Sequence, residues 1–357
     1  MATSDAVIVI FLRGGADGLS LIPPIGDDDY YRTRPGLAID ERDAIPLDGL
    51  FGLHPRLAPL ESLYRDGHLA VIPAVGSNSD TRSHFEAQDI VEGGGEDVAG
   101  GWLGRWLRLA PPATKGFPAV ALATSVPRSL SGAPGAVAVD SLKSLTLDPT
   151  MARRRHELEV LYASDTLLAG PAADTLRAVD RIERIARTVD PASAHDMSDA
   201  GDRFAASLQQ VALLLKADIG LRAACLDLPG WDSHIAQALS LEPLLDALGR
   251  GLATFATSLG PLLDRTSVVV MTEFGRRVAP NSAGGTDHGR ASVMLVLGNV
   301  RGGVHGRWPG LVDLDGPGDV RVAQDIRDVL AGVLARHGPK ECLSDVFPDH
   351  RLAPMSL

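Results

Sequence analysis

The sequence predicts an α/β fold with a doubly wound, mostly parallel sheet flanked by helices. Short apolar runs rich in Val and Ile, each bounded by Gly, Pro or Asp, are typical of strands that are buried on both faces. These runs are residues 6–12, 68–75, 118–123, 221–228, 266–273 and 291–298. Helical periodicity lies between them, notably at residues 55–65 and 240–263. Because strands and helices alternate, the crossovers are right-handed and the sheet is mostly parallel.

The chain is long enough for one large α/β domain, which we predict over residues 1–357. Hydrophobic residues make up 45% and charged residues 22%, as is ordinary for a globular protein with a sizeable core. Residues 150–215 differ from the rest, because they carry helical periodicity and few strand signals. We therefore predict a helical insertion or cap within the domain at 150–215.

The charge balance narrows the class of partner. A formal net charge of -11 argues against nucleic acid or an anionic membrane as the main partner. A small anionic substrate stays compatible, provided that metal ions or local arginines reverse the sign of the potential inside the site. The two cysteines, Cys225 and Cys342, lie far apart and outside any CxxC pair, which argues against a thiolate zinc site and against a disulfide framework. The sequence leaves the oligomeric state open.

The first apolar run, residues 6–12, is the segment to consider as an export signal or membrane anchor. It is too short to span a bilayer, and no basic segment or cleavage site accompanies it. The chain as written therefore predicts a cytoplasmic protein. A mature chain from which a leader had been removed would read the same way and would be an exported protein.

Polar side chains collect beside the predicted strands, at the sheet edge where open α/β sheets bind ligands. Carboxylate and imidazole groups together favour divalent metals. The sequence thus predicts a metal site built from Asp17, Asp232, His234, Glu273, Asp287 and His288. Each residue alone has a structural alternative: an Asp among glycines is typical of a turn, and a lone histidine is often a buried structural residue.

Ser83 lies at the predicted start of a helix, SHFEAQD. A hydroxyl there is close to free backbone N–H groups and the positive end of the helix dipole, which suits a nucleophile attacking a phosphate or sulfate. The alternative is an ordinary helix N-cap, with Glu86 completing a capping box. The glycine spacing at residues 14–18 is not the dinucleotide fingerprint, and no GxSxG elbow is present, so a dehydrogenase and a serine-triad hydrolase are both disfavoured.

Several motifs together resemble one known family. FLRGGADGLSLIPP, RPGLAI, TRSHFEAQD, GWDSH, TEFGRRVAPNSAGGTDHG and GGVHGRWPGL are similar to those of the bacterial domain-of-unknown-function 1501 family. That family is placed in the alkaline phosphatase-like superfamily, whose members use divalent metals and a Ser, Thr or formylglycine nucleophile. The resemblance runs from about residue 6 to residue 350.

The resemblance implies roles for particular positions. Asp17, Asp232, Glu273 and His288 stand where superfamily metal ligands occur, and Ser83 stands where the nucleophile occurs, with Thr81 close enough to compete. The sequence departs from the superfamily pattern at two places. Asp232 and His234 are two residues apart where the superfamily has Asp-x-x-x-His, and Glu273 is followed by Phe rather than by His. A site with a single metal ion, or a site that binds a ligand without hydrolysing it, therefore remains an alternative.

The expected function is hydrolysis of a small phosphate or sulfate ester, with Ser83 activated by one or two divalent metals. Mixed ligands favour Zn or Mn over Mg or Ca. Further candidates for clamping the ester oxygens, contacting substrate or carrying protons are Arg13, Arg82, Arg276, Asn281, His84 and His305. The alternatives are a transferase or mutase for the same groups and a non-catalytic metal- or ligand-binding protein that retains the fold.

Overall fold

The computed structural model describes residues 5–109, 116–142, 157–158, 160–162, 169–186 and 199–357. Its main sheet has nine strands in the order β10-β4-β9-β8-β1-β7-β5-β6, with β11 also paired to β4. The strands are β1 Ala6–Arg13, β4 Leu69–Gly76, β5 Ala119–Leu122, β6 Ala136–Val139, β7 Ala223–Pro229, β8 Thr266–Met271, β9 Ser292–Gly298, β10 Gly303–Val304 and β11 Gln324–Asp325. A separate two-stranded sheet pairs β2 Ile45–Pro46 with β3 Gly52–Leu53.

The predicted fold class is confirmed: the sheet is mixed, mostly parallel and flanked by helices. All six apolar runs form strands, within two residues of the predicted bounds. One strand breaks the parallel pattern, because β9 pairs antiparallel with both β8 and β4. The carboxyl ends of β1, β4, β7 and β8 therefore share one edge of the sheet with the amino end of β9.

Side chains of β1 show why the sheet is hydrophobic throughout. Ala6, Ile8 and Ile10 belong to the core on one face, whereas Val7 and Val9 belong to the core on the other face. Successive residues of a strand point to opposite faces, so a strand covered on both sides needs an unbroken apolar run. This requirement explains why the buried strands could be predicted from continuous apolar runs in the sequence.

Helices cover both faces of the sheet. The α-helices are α1 Gly18–Leu21, α2 Asp28–Thr33, α3 Glu61–Arg65, α4 His84–Gly93, α5 Trp102–Leu109, α6 Ala169–Ala186, α7 Ala200–Lys216, α8 Gln237–Leu259, α9 Ile326–Leu334 and α10 Leu343–Val346. Single 3₁₀ segments occupy Pro55–Leu60, Arg128–Leu130, Gly260–Arg265 and Lys340–Cys342. The predicted helix at 55–65 is thus 3₁₀ first and α afterwards, since Pro59 lies inside it.

The predicted insertion at 150–215 is described only in part. Helices α6 and α7 lie within it, whereas residues 150–156, 159, 163–168 and 187–198 are outside the described residues. Phe204 and Leu208 of α7 are buried in the core that lines the sheet, together with Leu241 and Leu245 of α8. Helix α7 therefore packs on the same side of the sheet as α8. Among the described residues, no helix is long and apolar enough to cross a bilayer.

Candidate metal centre

Three potential ligands meet at the edge that holds the carboxyl ends of the parallel strands. His84 is the first residue of α4, Asp232 follows the end of β7 by three residues, and His288 precedes β9 by four. One ligand atom from each of the three lies within 4.8 Å of the others. His234 joins them, with Nε2 3.1 Å from Asp232 Oδ1 and 2.9 Å from His288 Nε2.

Each of the three imidazoles is held by an acceptor at its other nitrogen. Nδ1 of His84 lies 2.8 Å from a carboxylate oxygen of Glu273, and Nδ1 of His234 lies 3.3 Å from Asp287 Oδ1. Nδ1 of His288 lies 2.8 Å from the backbone carbonyl oxygen of Arg82. Because all three partners accept, each Nδ1 donates, and a neutral ring then carries its lone pair on Nε2.

This donor set fits a cation. The Nε2 atoms of His234 and His288 approach to 2.9 Å, a distance at which they share either a proton or a metal ion, because two bare lone pairs repel. Nε2 of His84 is buried without a hydrogen-bond partner and lies 3.5 Å from Asp232 Oδ2. Ligands of a four-coordinate ion with bonds of about 2.0–2.1 Å stand about 3.3 Å apart. The separations between these side chains, 2.9–3.5 Å, are close to that spacing, so His84, Asp232, His234 and His288 are candidate ligands of one divalent ion.

Glu273, predicted as a ligand, lies behind His84. Its carboxylate accepts hydrogen bonds from His84, from Gln88 Nε2 at 3.0 Å and from the backbone N–H of Gly14 at 3.0 Å. Burial opposes its ionisation, but the hydrogen bonds from Gln88, His84 and the backbone outweigh burial and lower the pKa of Glu273. The ionised carboxylate of Glu273 therefore holds the ring of His84 in place.

Asp287 accepts from Nδ1 of His234, just as Glu273 accepts from Nδ1 of His84. Asn281 Nδ2 donates to Asp287 Oδ1 at 3.3 Å and to the carbonyl of His234 at 2.9 Å. The hydrogen bond from Asn281, followed by that from His234, lowers the pKa of Asp287. Asn281 also accepts from the backbone N–H groups of Ala283 and Gly285, so it closes the loop that carries Asp287 and does not face substrate.

Arg276, predicted to bind substrate, is enclosed beneath the centre. Its side chain is buried, and it donates to the carbonyl oxygens of Gly14, Gly15 and Trp231 and to Asp232 Oδ1. Burial raises the pKa of Asp232, but the hydrogen bond and charge of Arg276 outweigh burial and hold it at about 2. Arg276 thus keeps Asp232 ionised and tied to the loop after β1.

Two glycines allow these loops to touch. A Cβ at Gly14, whose φ is +120°, would lie 2.5 Å from the backbone nitrogen of Asp232. A Cβ at Gly285 would lie 2.2 Å from the carbonyl carbon of His234. Only glycine allows backbones this close, so these two positions bring the loops after β1 and before β9 onto the Asp232 loop.

Asp17, predicted as a metal ligand, is placed elsewhere. Its buried carboxylate accepts from the Arg34 guanidinium at 2.7 and 3.2 Å, from Ser20 Oγ at 2.6 Å and from Gln237 Nε2 at 2.6 Å. Both oxygens of Asp17 are thus engaged by residues outside the His84, Asp232, His234 and His288 cluster. Gln237, the first residue of α8, also accepts from Thr286 and Ser233. No pattern in the sequence indicates the contact between Gln237 and Asp17.

We predict that Asp17→Asn destabilises the protein by about 3–5 kcal/mol, because it leaves the buried guanidinium of Arg34 unpaired. Burial raises the pKa of Asp17, but the charge and hydrogen bonds of Arg34 outweigh it and lower that pKa. The stability from Asp17 is therefore present above about pH 4 and is lost as pH falls. Urea unfolding measures the change.

Asp40→Asn is the matched control, since the Asp40–Arg42 pair is exposed and such pairs contribute about 0–1 kcal/mol. Equal losses from the Asp17 and Asp40 variants would contradict the assigned role of the buried pair. The Asp17 variant is also expected to keep its metal content, in contrast to a true ligand variant.

The other predicted clamp residues are paired with carboxylates. Arg13 lies 2.7 Å from Glu92 and 2.9 Å from Asp227, and Arg82 is ion-paired with the buried carboxylate of Asp319. The backbone of Arg82, and not its guanidinium, reaches the centre through His288. These contacts make Arg13 and Arg82 parts of the scaffold.

His305, a predicted proton carrier, lies away from the centre. Its backbone N–H donates to Val71 at the start of β4, and its Nε2 contacts the carbonyl of Arg301. The centre is beside the other end of β4, five residues further along, which at about 3.3 Å per residue is roughly 16 Å. His84, the other predicted proton carrier, has instead the position of a ligand.

Ser83 is the N-cap residue of α4, as either interpretation of the sequence required. Its side chain makes no capping hydrogen bond and is exposed. Glu86 does not complete a capping box on Ser83, because its carboxylate accepts from Thr81 Oγ1 at 2.5 Å. The backbone N–H groups of His84, Phe85 and Glu86 make no hydrogen bond within the described residues. The amino end of α4 thus directs free donors towards the site of His84.

A family model described as "Protein of unknown function (DUF1501)" matches residues 73–339. The chain belongs to the DUF1501 family. The resemblance seen in the motifs is thereby confirmed, and the matched part of this DUF1501 chain includes His84, Asp232, His234 and His288. No curated protein matches it.

Solved structures are similar to the DUF1501 chain at low identity. Alkaline phosphatase from the Antarctic bacterium TAB5 is 10% identical with a TM-score of 0.37, covering 85% of this chain and 95% of that one. The C-terminal periplasmic domain of EcEptC from Escherichia coli is 9% identical with a TM-score of 0.42, covering 95% and 83%. The PsFucS1 sulfatase from Pseudoalteromonas sp. is 10% identical with a TM-score of 0.39, covering 95% and 68%.

In this DUF1501 protein we predict that Glu273→Gln lowers zinc affinity by about 10–100-fold, the usual cost of losing a carboxylate that orients a metal-binding histidine. The amide keeps the size of the side chain but removes the charge that fixes the His84 tautomer. Competition with a chelator of known affinity measures the change. Glu92→Gln is the control, because Glu92 pairs with Arg13 and Ser129 outside the centre; an equal loss there would contradict the assignment.

Proposed function

We propose that the chain is a metal-dependent hydrolase of small phosphate or sulfate esters. One divalent ion, with Zn or Mn favoured, is held by His84, Asp232, His234 and His288. The observation that carries the proposal is the convergence of three imidazole Nε2 atoms and one carboxylate beside an uncapped helix start. Asp17, Glu273 and Asp287 are left out of the ligand set, for the reasons given by their contacts.

The chain's own residues supply the rest of the chemistry. When bound, a divalent ion stabilises negative charge on an ester oxygen and lowers the pKa of a nearby hydroxyl. The free N–H groups of His84, Phe85 and Glu86 bind the oxyanion of the ester at the positive end of α4. Glu273 and Asp287 keep the imidazoles in the tautomer that leaves Nε2 unprotonated.

Ser83 is the nucleophile in this proposal. Its Oγ forms a bond to phosphorus or sulfur while the bond to the alcohol oxygen breaks, and the leaving alcohol takes up a proton from water. Because Ser83 is exposed, its own proton passes to solvent. Water then attacks the seryl ester, which releases phosphate or sulfate and restores the hydroxyl.

The test is metal content followed by activity. Elemental analysis of unchelated protein should find about one Zn or Mn per chain. Removal of that metal by a chelator should abolish hydrolysis of an aryl phosphate or an aryl sulfate, and its return should restore it. Protein without metal, or with activity unaffected by chelation, would refute the proposal. Stoichiometric metal without any hydrolysis would support the non-catalytic alternative.

A further inference from the structure

Three large apolar side chains are exposed in the segments that carry His84 and His234. Phe85 is 88% exposed, Ile235 is 70% exposed and Leu239 is 75% exposed. Phe85 directly follows His84, and Ile235 directly follows His234. Leu239 is in the first turn of α8, four residues after Ile235. We refer to Phe85, Ile235 and Leu239 as the apolar collar.

The collar residues belong to two segments that meet at one carboxylate. His84 and His234 reach Asp232 at 3.5 and 3.1 Å, so the segments that carry Phe85 and Ile235 come together at that side chain. Large apolar side chains in water are unfavourable by about 1.5–3 kcal/mol each relative to burial. An apolar group that packs against them recovers part of that free energy.

The cations of the same loops do not offer a second anionic subsite. Arg13, Arg82 and Arg276 are paired with carboxylates, as described above. Arg277 lies 3.3 Å from Asp287, and Arg290 lies 3.0 Å from Asp315. With these guanidiniums neutralised and a net charge of -11, a substrate carrying a further carboxylate or phosphate gains little attraction here.

We propose that the substrate is an ester with one anionic group and an apolar organic part, whose apolar part contacts Phe85, Ile235 and Leu239. This inference rests on the proposed function, because it places the oxyanion at the metal and at the amino end of α4. The collar then selects alkyl or aryl esters over sugar, nucleotide and other polar esters. A second copy of the chain covering the collar is the alternative that the experiment must separate.

The experiment measures binding of non-hydrolysable alkylphosphonates to the full-length, zinc-loaded protein by calorimetry. Methyl-, butyl- and octylphosphonate share one anionic group and differ only in apolar length. Full burial of one CH2 is worth roughly fourfold in affinity, so about twofold is expected on an open collar. Butylphosphonate should therefore bind about tenfold more tightly than methylphosphonate.

The double variant Phe85→Ala/Ile235→Ala should reduce the butyl-to-methyl affinity ratio to less than about threefold. Leu109→Ala is the control, because Leu109 ends α5, whose Trp106 packs on Arg222 at the start of β7, towards the opposite edge of the sheet. Light scattering on the wild type and on the double variant reports the oligomeric state. Retention of the ratio in the Leu109 variant, with its loss in the double variant, supports the collar.

The failures are distinguishable. If methylphosphonate binds only with metal and the affinity ratio is near one, the apolar inference is wrong while the proposed function stands. If no phosphonate binds with or without metal, both are overturned. If the wild type is a dimer that the double variant dissociates, the collar is an interface between copies and the inference about substrate is wrong.

Discussion

Asp232→Asn is expected to remove the metal from the protein. The amide keeps an oxygen to accept from Arg276, so the loop after β7 stays anchored. It lacks the negative charge that would balance a divalent ion, and burial lowers the pKa of His288, which favours the neutral ring. We expect zinc affinity to fall by more than the 10–100-fold typical of losing a residue that only orients a ligand, on the order of 10³-fold, with hydrolysis lost alongside it.

Asp227→Asn provides the matched comparison for this variant. Asp227 lies in β7, five residues before Asp232, and its side chain is similarly exposed at 40% against 48%. It pairs with Arg13 and contacts none of the three histidines. After dialysis, Asp232→Asn should have lost its zinc and Asp227→Asn should have kept it. Full zinc content in Asp232→Asn would exclude the proposed ligand set.

Ser83→Ala is expected to lower kcat by about 10³-fold or more while leaving the zinc content at the wild-type level. Loss of a nucleophile removes the covalent route, and only binding and charge stabilisation remain. The exposed Ser83 makes no side-chain hydrogen bond, so stability should change by less than about 0.5 kcal/mol. Steady-state kinetics and mass spectrometry of a slow aryl substrate, which should label residue 83, measure the effect.

Thr81→Ala is the control that decides between the two hydroxyls. Thr81 Oγ1 is engaged with Glu86 and also accepts from the backbone N–H of Ser83 at 3.3 Å. A severe loss of kcat in Thr81→Ala, with Ser83→Ala close to wild type, would transfer the nucleophile to Thr81. Equal activity of both variants and the wild type would end the covalent mechanism.

Part of the candidate metal centre could be predicted from the sequence, because the ends of the buried strands could be predicted. Val- and Ile-rich runs locate buried strands, and Asp232 and His234 follow such a run directly. His84 also follows a predicted strand, the run at 68–75, after a short polar loop. Its neighbour Ser83 was interpreted as the nucleophile, and His84 was considered only as a proton carrier. Asp17 follows β1 at the predicted edge of the sheet, but the sequence does not indicate that Arg34 pairs with it.

The apolar runs were enough to predict the fold class, the strands and the edge of the sheet at which polar residues collect, because burial on both faces demands continuous apolar runs. Which of those polar residues meet depends on how the strands pair in three dimensions. His288 precedes a strand, and in a wholly parallel sheet it would lie at the opposite edge from Asp232. The antiparallel pairing of β9 with β4 and β8 reverses that placement. Strand direction depends on long-range pairing, which no local pattern encodes.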